Sequence, residues 1–198
     1  MKLKMTESLK KYCQSFINFT ESELLLIDDY FEPQTIEQHK FILEEGKICK
    51  FIAFVISGSV RHFHIKDGEE KTCDMSFENQ FVTEFRSFLY DIASNMNLQA
   101  LEKTQILIIR KEKLFELYQK CPKYETFGRL MAEQVALRAT EIAMSLSSEK
   151  PEVRYKKLLE KQPDLFQRVQ QKYIANLLGI SPESLSRIRK RIHNQQKS

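Results

Sequence analysis

The chain has 198 residues, 42% of them hydrophobic, with only five Gly and five Pro, which excludes a disordered or low-complexity protein and leaves room for one large domain or two small ones. No apolar run reaches the ~18 to 20 residues needed to span a bilayer, and the opening "MKLKMTESLKKYC" lacks an apolar signal core, so a cytoplasmic protein with no membrane partner is expected. Charge divides unevenly: residues 151–198 hold 11 Lys or Arg against 4 Asp or Glu, a balance of +7, while residues 1–150 hold 20 against 23, a balance of −3. A basic C-terminal quarter on a near-neutral body points to a polyanionic partner for that quarter.

In chain order, Thr20 and Glu23 stand at capping-box spacing before "LLLIDDY", which predicts a short helix. From about 35 to 110 the texture is that of short strands. Apolar runs such as "KFIAFVISGSVRHFHI" and "QILIIR" alternate with turn signals at Glu45-Gly46, Ser57-Gly58 and Lys66-Asp67-Gly68. An antiparallel barrel or sandwich follows from that spacing, with "KDGEE" as a hairpin turn in which Gly68 supplies positive φ. "KEKLFELYQK" predicts one helix ended at Pro122, and residues 123–147 predict a much longer one, about 35 Å at 1.5 Å per residue. This long helix has two apolar stripes. Phe127, Met131, Val135, Ala139, Ile142 and Leu146 form one; Leu130, Leu137 and Met144 form the other. One stripe can cover its own domain while the other meets the same helix of a second copy. "SSEKPE" reads as a boundary, residues 152–162 as an amphipathic helix, and "PDLFQRV" as a short extended piece.

The segment from Gln171 onward satisfies the demands of a helix-turn-helix. A small residue, Ala175, stands where the helices cross; Gly179 stands in the turn; Ile174, Leu178, Ile180, Leu185 and Ile188 stand at the apolar positions that fix the interhelical angle. Ser181 suits an N-cap and Pro182 the first helical position. The residues expected at DNA are Lys172, Ser181, Pro182, Glu183, Ser184, Ser186, Arg187, Arg189, Lys190 and Arg191. Glu183 and Arg187, one turn apart, suit cytosine N4 and guanine O6/N7, whereas Arg189, Lys190 and Arg191 suit phosphates.

Catalysis is not expected. The chain has no Ser-His-Asp order, no phosphate-binding Gly-rich loop and no HExxH, so no catalytic residue is assigned. Its four Cys, at 13, 49, 73 and 121, form no CxxC pair and read as ordinary reduced thiols. His62 and His64 alternate on a strand, a pattern more typical of surface residues than of a metal site, and no metal or cofactor is assigned.

Strands, a long helix and a helix-turn-helix, in that order, resemble the cyclic-AMP receptor protein/FNR superfamily of bacterial transcription regulators. The resemblance rests on "ILEEGKICKFIAFVISGSVRHF", the helix at 123–147 and "IANLLGISPESLSRIRK", and covers nearly the whole chain. It implies an α+β fold: an N-terminal antiparallel β-roll of jelly-roll type with flanking helices over residues 1–122, a dimerisation helix over 123–147, and a helix-turn-helix domain over 148–198. It further implies a homodimer on double-stranded DNA, with RNA polymerase as a partner and an effector of unknown identity. In the family a Glu and an Arg spaced as Glu183 and Arg187 read bases, but an Arg often precedes that Glu where this chain has Pro182. Little sequence follows the second helix, so the C-terminal wing hairpin of many members is not expected.

Members that bind cyclic nucleotides use a Gly-Glu pair for the ribose and an Arg-Ser pair for the phosphate. Here the corresponding positions are Thr83-Glu84 and Ser94-Asn95, so the acidic residue is present and the cation is missing. The resemblance thus places an effector pocket at Thr83, Glu84, Arg86, Ser94 and Asn95, with Arg86 the candidate substitute cation. Without one, a buried cyclic phosphate would be unpaired and costly. An iron–sulfur sensor would need several Cys near the N-terminus, where only Cys13 lies. Two readings follow: a DNA-binding regulator with a degenerate nucleotide roll, or a small-molecule sensor with ligand-dependent DNA binding.

Overall fold

The computed structural model describes residues 2–195. Two helices, α1 (Lys2–Gln14) and α2 (Glu21–Tyr30), precede the strands β1 (Glu32–Ile36), β2 (Phe41–Leu43), β3 (Phe51–Ser57), β4 (Val60–Lys66), β5 (Glu69–Ser76) and β6 (Phe81–Val82). A short helix, α3 (Phe85–Tyr90), leads into β7 (Asn97–Ala100) and β8 (Thr104–Arg110). Then come α4 (Lys111–Lys120), the long α5 (Pro122–Ser148), α6 (Pro151–Lys161), α7 (Leu165–Arg168), α8 (Gln171–Leu177) and α9 (Pro182–Gln195).

The strands form two four-stranded antiparallel sheets, in the orders β1-β8-β3-β6 and β2-β7-β4-β5. Buried residues of both sheets share one core: Phe54, Val55, Ile106 and Leu107 from one sheet, Val60, Leu98 and Ala100 from the other. Leu9 and Cys13 of α1 and Ile27 of α2 join it. Sheet β1-β8-β3-β6 is buried on both faces, since the adjacent residues Ala53, Phe54 and Val55 of β3, and Ile106 and Leu107 of β8, all lie in the core.

Local chemistry sets the turns. Thr20 and Glu23 form the reciprocal capping box, with Thr20 N–H donating to Glu23 Oε2 at 2.7 Å. The β4–β5 hairpin turns through Asp67 and Gly68, both at positive φ, 54° and 76°, the pattern of a type I′ turn. Gly58 has φ of +95°, and a Cβ there would stand 2.7 Å from Thr104 Cα, so the neighbouring strand can pass only because the side chain is missing.

One expectation differs. "PDLFQRV" is not extended but makes the single turn α7. Leu165 is drawn into the C-terminal core, and Val169 N–H closes back on Leu165 C=O at 2.9 Å.

The C-terminal helices are not free of the roll. Their core, built on Leu165, Val169, Ile174, Leu185 and Ile188, also contains Met75, Phe77 and Leu101 from the roll. Fully buried Arg61 on β4 is stacked between Phe63, 3.7 Å away, and Tyr173 of α8, 4.0 Å away. Arg168 donates to Glu78 and Glu102, each at 2.7 Å, and Thr72 N–H donates to Asn176 Oδ1 at 3.1 Å.

Candidate functional site

The helix pair α8–α9 is assembled from short-range signals. Ala175, Ile174 and Leu185 are fully buried where the helices cross. Helix α8 ends in a Schellman arrangement: Gly179 N–H donates to Asn176 C=O at 2.8 Å and Ile180 N–H to Ala175 C=O at 3.0 Å, with Gly179 at φ +66°. Helix α9 is capped by Ser181, whose Oγ accepts the Ser184 N–H at 3.2 Å. Arg154 reinforces the joint by donating to Leu178 C=O from Nη2 at 2.8 Å.

Of the ten residues expected at DNA, nine are exposed and Ser184 is half-buried. Glu183 sits in the first turn of α9, where its own backbone N–H and the Ser181 hydroxyl hold its carboxyl below the usual carboxylate range. Arg187 lies one turn on, with Nη2 3.2 Å from Ser184 Oγ. The distal cations divide in a way the sequence does not reveal. Arg189 stacks over the Phe166 ring at 4.5 Å, and Arg191 is paired with Glu152. Lys172 lies 4.8 Å over its neighbour Tyr173.

The expected effector residues lie in different settings. Both carboxylate oxygens of Glu84 cap α3, accepting the Arg86 N–H at 3.2 Å and the Ser87 N–H at 2.7 Å. Ser94 is buried with its hydroxyl on Met96 C=O at 2.8 Å, while Arg86 and Asn95 are exposed. Only Thr83, donating to Phe51 C=O at 2.9 Å, lines the large cavity of the molecule.

That cavity, about 700 Å³, lies between the roll and one face of α5. Its walls are mostly apolar, with Phe81, Phe88 and Tyr124 on one side and Met131, Val135 and Ile142 of α5 on the other. A polar patch from the β4–β5 hairpin, His62, Cys73, Asp74 and Ser76, meets Arg138 of α5. Arg138 Nη2 donates to Asp74 Oδ1 at 2.5 Å and to Met75 C=O at 3.1 Å. His62 Nε2 lies 3.0 Å from Ser76 Oγ, and burial, outweighing the pull of Asp74, holds its pKa below the usual range. Among the described residues no three His, Cys, Asp or Glu side chains gather as a metal site, and no helix is long and apolar enough to cross a membrane.

Comparison with known proteins places these features. Residues 33–121 match the cyclic nucleotide-binding domain family. No curated protein matches the chain in sequence. Among solved structures, FixK2 from Bradyrhizobium japonicum is 14% identical, with a TM-score of 0.73 over 84% of this chain and 86% of that one. A crp/fnr-family protein from Eubacterium rectale is 16% identical, with a TM-score of 0.69 over 93% and 88%. The c-di-GMP responsive global regulator CLP of Xanthomonas campestris is 19% identical, with a TM-score of 0.67 over 88% and 91%. The family match spans a little under half of the chain, and over most of its length the chain shares the fold of these solved structures.

Proposed function

We propose that this protein is a homodimeric, sequence-specific DNA-binding transcription regulator of the cytoplasm, working with RNA polymerase and governed by a ligand at its roll. The observation that carries the reading is α9: a capped helix held at a fixed angle by the Gly179 turn, with Glu183 and Arg187 together on its exposed face. Two such helices related by a two-fold axis would enter successive major grooves about 34 Å apart on a palindromic operator. Dimerisation is supported by α5. Leu137 is 59% and Met144 64% exposed on its second stripe.

Arg187 and Glu183 are assigned to bases; Ser181, Ser184, Ser186, Lys172 and Lys190 are assigned to the backbone around them. Arg189 and Arg191, already stacked or paired within the chain, are assigned to phosphates as weaker contributors. Operator selection from random DNA, followed by gel-shift titration, tests this. Arg187→Ala should cost about 1–3 kcal/mol at one operator position and relax specificity there. Equal loss on every sequence would refute base reading.

A further inference from the structure

The two stripes of α5 have different neighbours. Met131, Val135, Ala139, Ile142 and Leu146 line the cavity, whereas Leu130, Leu137 and Met144 do not. At 100° per residue the second stripe lies about 160° around the helix from the centre of the first. A partner helix seated on Leu137 and Met144 therefore leaves the cavity to another occupant. The cavity stripe is underfilled: Val135 is 49% and Leu146 44% exposed although both line the cavity.

The chemistry of the walls restricts that occupant. Arg138 is the one Arg or Lys among the lining residues, and it is already spent on the Asp74 carboxylate and the Met75 carbonyl. His62 is half-buried, desolvation lowers its pKa and so disfavours its cationic form, and its contact is the hydroxyl of Ser76. Glu84, the ribose-binding position of the family resemblance, is turned into the first turn of α3. A phosphate entering here would meet no unpaired cation and would face Asp74, a burial that costs too much to sustain binding. An apolar body would gain contacts along Phe81, Phe88, Met131 and Ile142, and 700 Å³ is the size of a small-molecule site.

We infer that the cavity between the roll and α5 binds a largely apolar small molecule carrying one uncharged hydrogen-bonding group, hydroxyl or carbonyl, seated at Ser76 and His62. The inference rests on the regulator reading and names the ligand class of its sensor half. It also supplies a route to the output. His62, Asp74 and Ser76 face the cavity, while Arg61, Met75 and Phe77 of the same hairpin and its extension face the DNA-reading helices. A ligand that shifts the hairpin acts on both.

The test uses the full-length protein with Nile red as a neutral fluorescent probe, competed by 1-decanol, decanoate or cyclic AMP. Nile red should bind with low-micromolar Kd. 1-Decanol should displace it at least about tenfold more effectively than decanoate, and cyclic AMP at ~1 mM should not displace it. Ala139→Trp, which projects an indole into the cavity from an exposed position, should weaken the dye about tenfold or more without lowering Tm or changing sedimentation. Ser76→Ala should weaken 1-decanol about fivefold. Displacement by cyclic AMP, or equal dye binding by wild type and Ala139→Trp, would overturn the inference. An unchanged decanol response in Ser76→Ala would overturn the seat of the polar group. Sedimentation and operator selection on the same samples keep the two readings apart: a monomer that selects no operator overturns the regulator alone.

Discussion

Between Pro122 and Ala132 the long helix sends Tyr124 and Phe127 into the roll; between Glu133 and Ser148 the same helix leaves Val135, Leu137, Met144 and Leu146 largely in solvent. The proximal half is held by rings from other elements. Phe127 meets Tyr12, Phe16, Phe19 and Phe81, Tyr124 lies 4.7 Å from Phe19, and the Tyr124 hydroxyl donates to Glu23 C=O at 2.9 Å. The distal half touches the roll at a polar point, Arg138 on Asp74 and Met75, and otherwise borders a cavity. Apolar periodicity looks alike in both halves. It shows which side of a helix wants cover, and not whether the cover is the same chain, a second copy or a ligand.

Mutations can break that division. Phe127→Ala should have the largest effect, about 3–5 kcal/mol of lost stability in urea unfolding, because a buried ring with four aromatic neighbours leaves a void. Gly128→Ala should cost about 1–3 kcal/mol by overpacking. A Cβ there would stand 2.3 Å from the Tyr118 hydroxyl, so α4 or the tyrosine must yield. In the distal half the signs change. Leu137→Ser should leave the stability of the single chain within about 0.5 kcal/mol, as for an exposed position. It should weaken dimerisation about tenfold or more in sedimentation equilibrium. A large loss of chain stability with an intact dimer would place Leu137 in the chain's own core and erase the contrast.

What could be read from residues alone follows the range of each constraint. Ala175, Gly179 and Ser181 act within a few residues of their partners, so the helix pair and its cap are legible from spacing. The Thr20–Glu23 box and the Asp67-Gly68 turn are equally local. The two stripes of α5 were legible as stripes, while their neighbours depend on how the roll closes. Glu84 adds a local bond that counting along a resemblance does not reveal. An acidic side chain two or three residues ahead of the free N–H groups of Arg86 and Ser87 is an N-cap, and that bond is formed here. Burial of Arg61 under Tyr173, and the bridge from Arg168 to Glu78 and Glu102, join residues far apart in the chain, 90 and 66 positions in the case of Arg168, and leave no mark in spacing.

The smallest prediction concerns pH and lies beneath the distal half. His62 faces Ser76, Asp74, Cys73 and Arg138 across the cavity wall, and its folded pKa is depressed by burial, with Asp74 opposing and Arg138 assisting. In the unfolded chain it titrates near ~6.5. The unfolded state therefore binds the proton more readily as pH falls, so the contribution of His62 is fully present above about 6.5 and is lost progressively below it. Lowering the pH from 7.5 to 5.5 should reduce wild-type stability more than that of His62→Gln, by at most about 1.4 kcal/mol in all, since only one pH unit of that interval lies below 6.5. Urea titrations of both proteins at the two pH values read this directly. If the two lose equal stability, the imidazole is solvated when folded, and the wall beneath α5 is wetter than the half-buried contact between His62 and Ser76 implies.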